Sequence, residues 1–229
     1  MPPSPRAARR LAALLVLAAP ALVAQGAPGH AGHAAPAADS APALPAGVAR
    51  ADVTFLEGMI GHHAQALVMT DLLATRTARR EMRLLAERIA VSQRDEIAAM
   101  RSWLLDRGLA APLPDTAHRT PAHATRGAAH HGGDHARDHA AMPGMLTTAQ
   151  LDSLAAARGG AFDTLFLRYM IAHHEGALVM VQRLFATPGA GQEPQLFGFA
   201  TDVDADQRAE IQRMRALLAR YRAPAPRRR

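Results

Sequence analysis

Two pairs of adjacent histidines, His62-His63 and His173-His174, are set among methionines. Met59 stands three and four residues before the first pair, and Met69 follows it; Met170 and Met180 hold the same places around the second pair. On a helix, side chains three and four apart meet on one face. A thioether and an imidazole could therefore reach one ion. Imidazole suits copper, zinc, nickel and iron, and a thioether adds a preference for soft Cu(I). Thioethers also survive an oxidising compartment in which thiols would pair. With no cysteine in the chain, a metal site must use His, Met, Asp, Glu or backbone, and both thiolate catalysis and a disulfide framework are excluded.

These residues belong to a unit written twice. Met59-Ile60-Gly61-His62-His63-Ala64-Gln65-Ala66-Leu67-Val68-Met69 returns as Met170-Ile171-Ala172-His173-His174-Glu175-Gly176-Ala177-Leu178-Val179-Met180. Upstream, Asp52, Phe55 and Leu56 return as Asp163, Phe166 and Leu167; downstream, Gln93, Glu96 and Met100 return as Gln207, Glu210 and Met214. The offset is 111 residues for the first set and 114 for the second, so the second half carries a short insertion, placed at Pro188–Pro194. A duplicated unit of paired histidines and methionines points to metal chemistry more than to a generic helical core.

The elements that position these residues follow from periodicity. At the helical repeat, Asp52, Phe55, Leu56, Met59, His62, His63, Ala66, Leu67 and Met69 share one stripe, and Met82, Leu85, Ile89, Gln93, Glu96, Met100 and Leu104 share another. The pattern predicts helices from Asp52 to about Thr75, Ala78 to about Arg107, Asp163 to about Phe185 and Gln195 to Tyr221. A short extra helix is predicted from Thr148 to Ala157. Each hairpin has an apolar face that it cannot bury alone. Two hairpins solve this as an all-α antiparallel four-helix bundle, large enough to fold without metal. Residues 51–107 form the first hairpin and 148–222 the second, as one domain.

The stripes are apolar except for the histidines and for Asp52, Gln93, Glu96, Asp163, Gln207 and Glu210. Buried polar groups need partners. Those six residues are therefore candidates either to bind metal or to orient the side chains that do. The competing reading is structural: His63 with Glu96, and His174 with Glu210, as buried hydrogen-bonded pairs that fix helix register. The methionines also have a plain reading as core filler. Met59, Met69, Met100, Met170, Met180 and Met214 are the better candidates because they accompany the histidines.

The rest of the chain is compositionally biased. Arg6, Arg9 and Arg10 precede the apolar run Leu11–Val23, which ends among small residues. This is the order of a secretory signal peptide over 1–24, so the protein is expected in the periplasm or outside the cell. An N-terminal membrane anchor is the alternative if the leader stays on. Residues 25–50 read as a disordered linker. Residues 108–147 form a second low-complexity stretch, carrying His118, His123, His130, His131, His135, His139, Met142 and Met145. Short His-rich tracts bind metal. A flexible one suits capture or buffering, including of Cu(II), better than catalysis. The alternative is a polar spacer. The formal charge of +6 falls by three without the leader's arginines. The 223–229 tail reads as a solvated basic end, and no basic stripe with interleaved aromatics supports nucleic-acid binding.

The combination Asp-x-x-Phe, Met-Ile-x-His-His-x-x-Ala-x-x-Met and Gln-x-x-Glu-Ile-x-x-Met resembles the bacterial domain-of-unknown-function 305 family, over about Ala51–Arg107 and Phe162–Tyr221. The resemblance implies an exported, ferritin-like four-helix bundle. Because the family includes CopM-like periplasmic copper-binding proteins, it also implies copper bound through Met59, His62, His63, Met69, Met100, Met170, His173, His174, Met180 and Met214. The first functional reading is therefore copper sequestration or resistance without turnover, with metal ions as partners and a metal-transfer partner unspecified. The second is a di-iron or di-manganese oxidoreductase, disfavoured because no Glu-x-x-His motif occurs. The third is a structural or interaction module without metal.

Overall fold

The computed structural model describes residues 44–116 and 142–222, which fold into helices with no strand among them. In chain order these are α1 (Arg50–Asp71), α2 (Leu73–Arg76), α3 (Arg80–Asp106), α4 (Thr148–Ala156), α5 (Gly159–Ala186) and α6 (Pro194–Arg222). The expected leader, the expected linker up to residue 43, the histidines from His118 to His139 and the basic tail lie outside the described residues. The end of that linker instead makes a turn whose Leu44 and Val48 pack against the core, and Arg50 already belongs to α1. Among the described residues, no helix is long and apolar enough to cross a membrane.

Local chemistry sets several helix ends. At the start of α1, Asp52 Oδ2 accepts from the Ala49 backbone N–H at 3.1 Å. Ala49 has no side-chain oxygen to return the bond, so only half of a capping box is present. At α4, Thr147 and Gln150 complete the full box: Thr147 Oγ1 accepts from Gln150 N, and Gln150 Oε1 accepts from Thr147 N. Pro194 opens α6, a position where its missing N–H costs nothing. The first predicted helix does not run unbroken to Thr75. It ends at Asp71, and the single turn of α2 follows, with Leu73 buried.

Helix α1 packs along α3 and α5 along α6, and the two hairpins meet chiefly through α1 and α5, while α3 and α6 touch only sparingly. The buried apolar side chains separate into two clusters at opposite ends. One holds Phe55, Leu56, Met59, Met100, Trp103, Met180 and Leu196, and the other Met69, Met82, Ile89, Phe162, Phe166, Met170 and Met214. Each such side chain contributes about 1.5–3 kcal/mol on burial. Between the clusters lie the buried polar residues His62, His63, Gln93, His173, His174, Gln207 and Glu210.

The halves are clasped at both ends by the repeated aspartates. Asp52 Oδ1 accepts from the backbone N–H of Gly191 in the α5–α6 loop at 2.7 Å, where a φ of 65° favours glycine. Asp163 Oδ2 lies 3.0 Å from Arg79 Nε in the α2–α3 loop. That pair is ionic, without hydrogen-bond alignment. Each aspartate therefore holds the turn of the opposite hairpin.

Candidate metal centre

The four histidines come together at mid-core, where α1 crosses α5. The His62 and His173 rings lie close over one another, with centroids 3.8 Å apart and planes tilted by 36°. The two chain neighbours repeat one geometry at longer range: His62 and His63 centroids lie 6.2 Å apart, and His173 and His174 centroids 6.1 Å apart. The duplication is thus a local pseudo-symmetry about the stacked pair. Outward from it, His63 Nε2 bonds Glu96 Oε2 at 2.5 Å, and His174 Nε2 bonds Glu210 Oε2 at 2.6 Å. The register pairs anticipated from the stripes are therefore present.

Burial keeps the stacked rings neutral. It is the chief cause that lowers the His62 pKa from 6.5 to about 3, with the charges of His63 and His174 adding to it against a bond to Pro143. Burial and then the neighbouring histidines hold His173 well below the ordinary value. Glu96 is different. Burial pushes its carboxyl up, but the bond from His63 and one from Ser92 outweigh that and leave it below its ordinary value.

The bonding partners assign the ring protons. A backbone carbonyl only accepts, so His62 Nε2 carries the proton it donates to Pro143 O at 3.0 Å. His63 and His174 likewise donate from Nε2 to carboxylates. This leaves Nδ1 of His62, His63 and His174, and both nitrogens of His173, buried without a hydrogen-bond partner. The His173 ring approaches the backbone of His62 without hydrogen-bond geometry. A ring anchored at one nitrogen by a carboxylate or carbonyl, with a lone pair at the other, is the arrangement of metal-binding histidines. Imidazole nitrogens left without a partner fit soft or borderline metals better than hard ones. The donor set therefore fits copper chemically, although among the described residues no three His, Asp or Glu side chains already converge as a ready cage.

The methionines bound this layer on both sides. Met59, Met100 and Met180 lie in one apolar cluster, and Met69, Met170 and Met214 in the other. Gln93 and Gln207 are in the layer, and the Gln93 amide has no hydrogen-bond partner at either atom. Asp52 and Asp163 are not in it; they sit at the hairpin turns described above. Of the auxiliary residues, only Met142 and Met145 are described.

A segment that the sequence reading assigned to the linker packs on this centre. Residues 142–146 cross the α1–α5 seam: Pro143 O meets His62, and the Gln65 side chain holds the Leu146 backbone, accepting from its N–H at 2.8 Å and donating to its carbonyl at 3.0 Å. Gly144, at φ 78°, lies on α5, where a Cβ would stand 2.6 Å from Ala172 O. A Cβ on Gly176 would run into the Pro143 carbonyl. The repeat itself held the available signal, because Gln65 and Gly176 occupy equivalent positions and differ.

Comparison with known proteins agrees with this geometry. The family described as Domain of unknown function (DUF305) matches residues 52–218. A DUF305 fragment from Deinococcus radiodurans is 29% identical at TM-score 0.58, covering 75% of this chain and 97% of its own. A DUF305 protein of Streptomyces coelicolor, named as a candidate secreted protein, is 26% identical at TM-score 0.60, covering 78% and 98%. CopM in its Cu(II)-bound form is 26% identical at TM-score 0.53, covering 74% and 97%; at 24% identity, its Cu(I)-bound form shows a likeness of fold alone. No curated protein sequence matches. Since the matched span contains both histidine pairs and all their helical partners, the chain belongs to the DUF305 family.

Proposed function

We propose that this protein is an exported copper-binding protein that sequesters the metal without turning it over. The observation that carries the reading is the layer of four histidines with buried, partnerless ring nitrogens between two methionine-bearing clusters. The likeness to Cu(II)-bound CopM supports copper as the cargo. The Streptomyces relative supports export, as does the leader-like composition of 1–24. On this reading the two hairpins make one ferritin-like antiparallel bundle. The bundle holds Cu(I) through His62, His63, His173 and His174 with the surrounding thioethers, and the tract from His118 to His139 supplies looser sites that also take Cu(II).

The oxidoreductase reading loses its carboxylates. Asp52 and Asp163 are engaged at the turns, and Glu96 and Glu210 are each bonded to a histidine. The structural reading keeps one specific support, since the His63–Glu96 and His174–Glu210 pairs are what register pins would look like.

An anaerobic Cu(I) competition titration against a chromogenic chelator separates these. It is run on the protein without its leader, with and without residues 117–141. Tight binding in both forms places copper in the helical core. Binding lost with the tract makes the core a scaffold for it, and no binding in either form removes the copper reading.

A further inference from the structure

The segment from Met142 to Leu146 lies directly over the stacked histidine pair, and its attachments are uneven. At its far end Leu146 is buried in one apolar cluster, doubly bonded by Gln65, and followed at once by the Thr147 cap of α4. At its near end Met142 to Met145 closes as one turn, Met145 N to Met142 O, tied to the core by the single bond from His62 to Pro143 O. The leaf is seated by glycines, with Gly144 on α5 and Gly176 beneath Pro143. At Gly58, a Cβ would meet Met142 Sδ at 3.3 Å and Met180 Cε at 3.5 Å. Larger side chains at these points would lift it. Among the described residues no equivalent segment bonds the His173 ring, so the described cover lies on one side of a nearly symmetric centre.

We propose that residues 142–146 form a hinged strap that gates the histidine pair, with Met142 and Met180 as the thioethers a soft ion meets first as the leaf lifts about Leu146. The inference rests on the copper reading above for its cargo, but not for its mechanics. The leaf hides His62 whatever the protein binds. Thioether side chains that pack on either side of one glycine are soft donors, and they sit where the leaf must peel. Opening breaks one hydrogen bond and buried contacts at Met142, a local fluctuation that leaves the helices intact.

The test reads access without metal. The full chain is treated with diethyl pyrocarbonate, which acylates unprotonated imidazole, and modification at each histidine is followed by peptide mass mapping. Gly176→Ala, which displaces Pro143, should speed modification of His62 and His173 by about tenfold, the size of one hydrogen bond's net contribution, while the histidines from His118 to His139 react as before. Gln65→Ala, which frees the hinge, gives the same result in a variant that leaves the α5 backbone untouched, and it carries the test if Gly176→Ala does not fold. Stopped-flow uptake of Cu(I) should accelerate in the same variants with unchanged stoichiometry. Equal modification rates in wild type and in the folded variants overturn the gate and place the route elsewhere, even if copper binds tightly. Faster modification with no copper uptake in any form keeps the gate and removes the copper reading.

Discussion

The His62 and His173 rings lie 3.8 Å apart, centroid to centroid, and neither can take a proton easily because burial disfavours the charged form of both. This makes folding sensitive to acid. In the unfolded chain each ring protonates near the ordinary value of 6.5, whereas the folded protein resists until about 3 at His62. Across that window the unfolded state binds more protons, so stability is full above about pH 7 and falls as pH falls. At about pH 5 the loss from His62 should be about 2 kcal/mol, and His173 adds to it in the same direction. Urea unfolding at about pH 7.5 and about pH 5 measures it, and His62→Phe with His173→Phe should flatten the slope. A wild-type profile level across that range would exclude a buried neutral pair.

The two histidine–carboxylate bonds are equivalent by sequence but not by burial. Glu210 is 3% exposed, and Glu96 12%. Removing the carboxylate leaves a buried ring N–H without its acceptor. Glu210→Ala should therefore cost about 3 kcal/mol, and Glu96→Ala clearly less, since water can replace the more exposed Glu96 carboxylate. Equilibrium unfolding of the two variants checks the order, and equal costs would show that His63 and His174 see the same surroundings.

Asp52 was a candidate ligand by its place on the stripe. Its oxygens instead hold Gly191 N and Ala49 N. Asp52→Ala leaves both N–H groups without their acceptor and should destabilise by about 1–3 kcal/mol, with Cu(I) affinity of the folded protein unchanged. A parallel titration that showed affinity falling with stability intact would return Asp52 to the metal centre.

The helices, the repeat and the His63–Glu96 and His174–Glu210 pairs were legible because periodicity places such residues on facing stripes. The roles of Asp52 and Asp163 were not. A stripe fixes the face of a residue but not its height relative to the opposite turn, and that height brings each carboxylate to the other hairpin's loop. The strap was hidden for another reason. Met142-Pro143-Gly144-Met145 continues a low-complexity composition, and what orders it is tertiary: a glycine seat on α5, the His62 Nε2–H that bonds Pro143 O and the reach of Gln65. Only the mismatch between Gln65 and Gly176 in the two repeats hinted that something lay there.

Metal-linked stability separates the copper reading from the register reading, because both invoke the same four histidines. A ligand that binds only the native state must stabilise it by mass action, by about 2.7 kcal/mol at a free concentration one hundred times its Kd. Cu(I), added anaerobically to the protein lacking 117–141, should raise Tm with concentration in that logarithmic way. The variant with His62, His63, His173 and His174 all changed to alanine should start less stable, because Glu96 and Glu210 lose their partners, and should gain nothing from the metal. If the four histidines serve only to pin the helices, the variant shows the same initial loss but the wild type also fails to respond. The starting stability is thus shared by the two readings, and the response to Cu(I) distinguishes them.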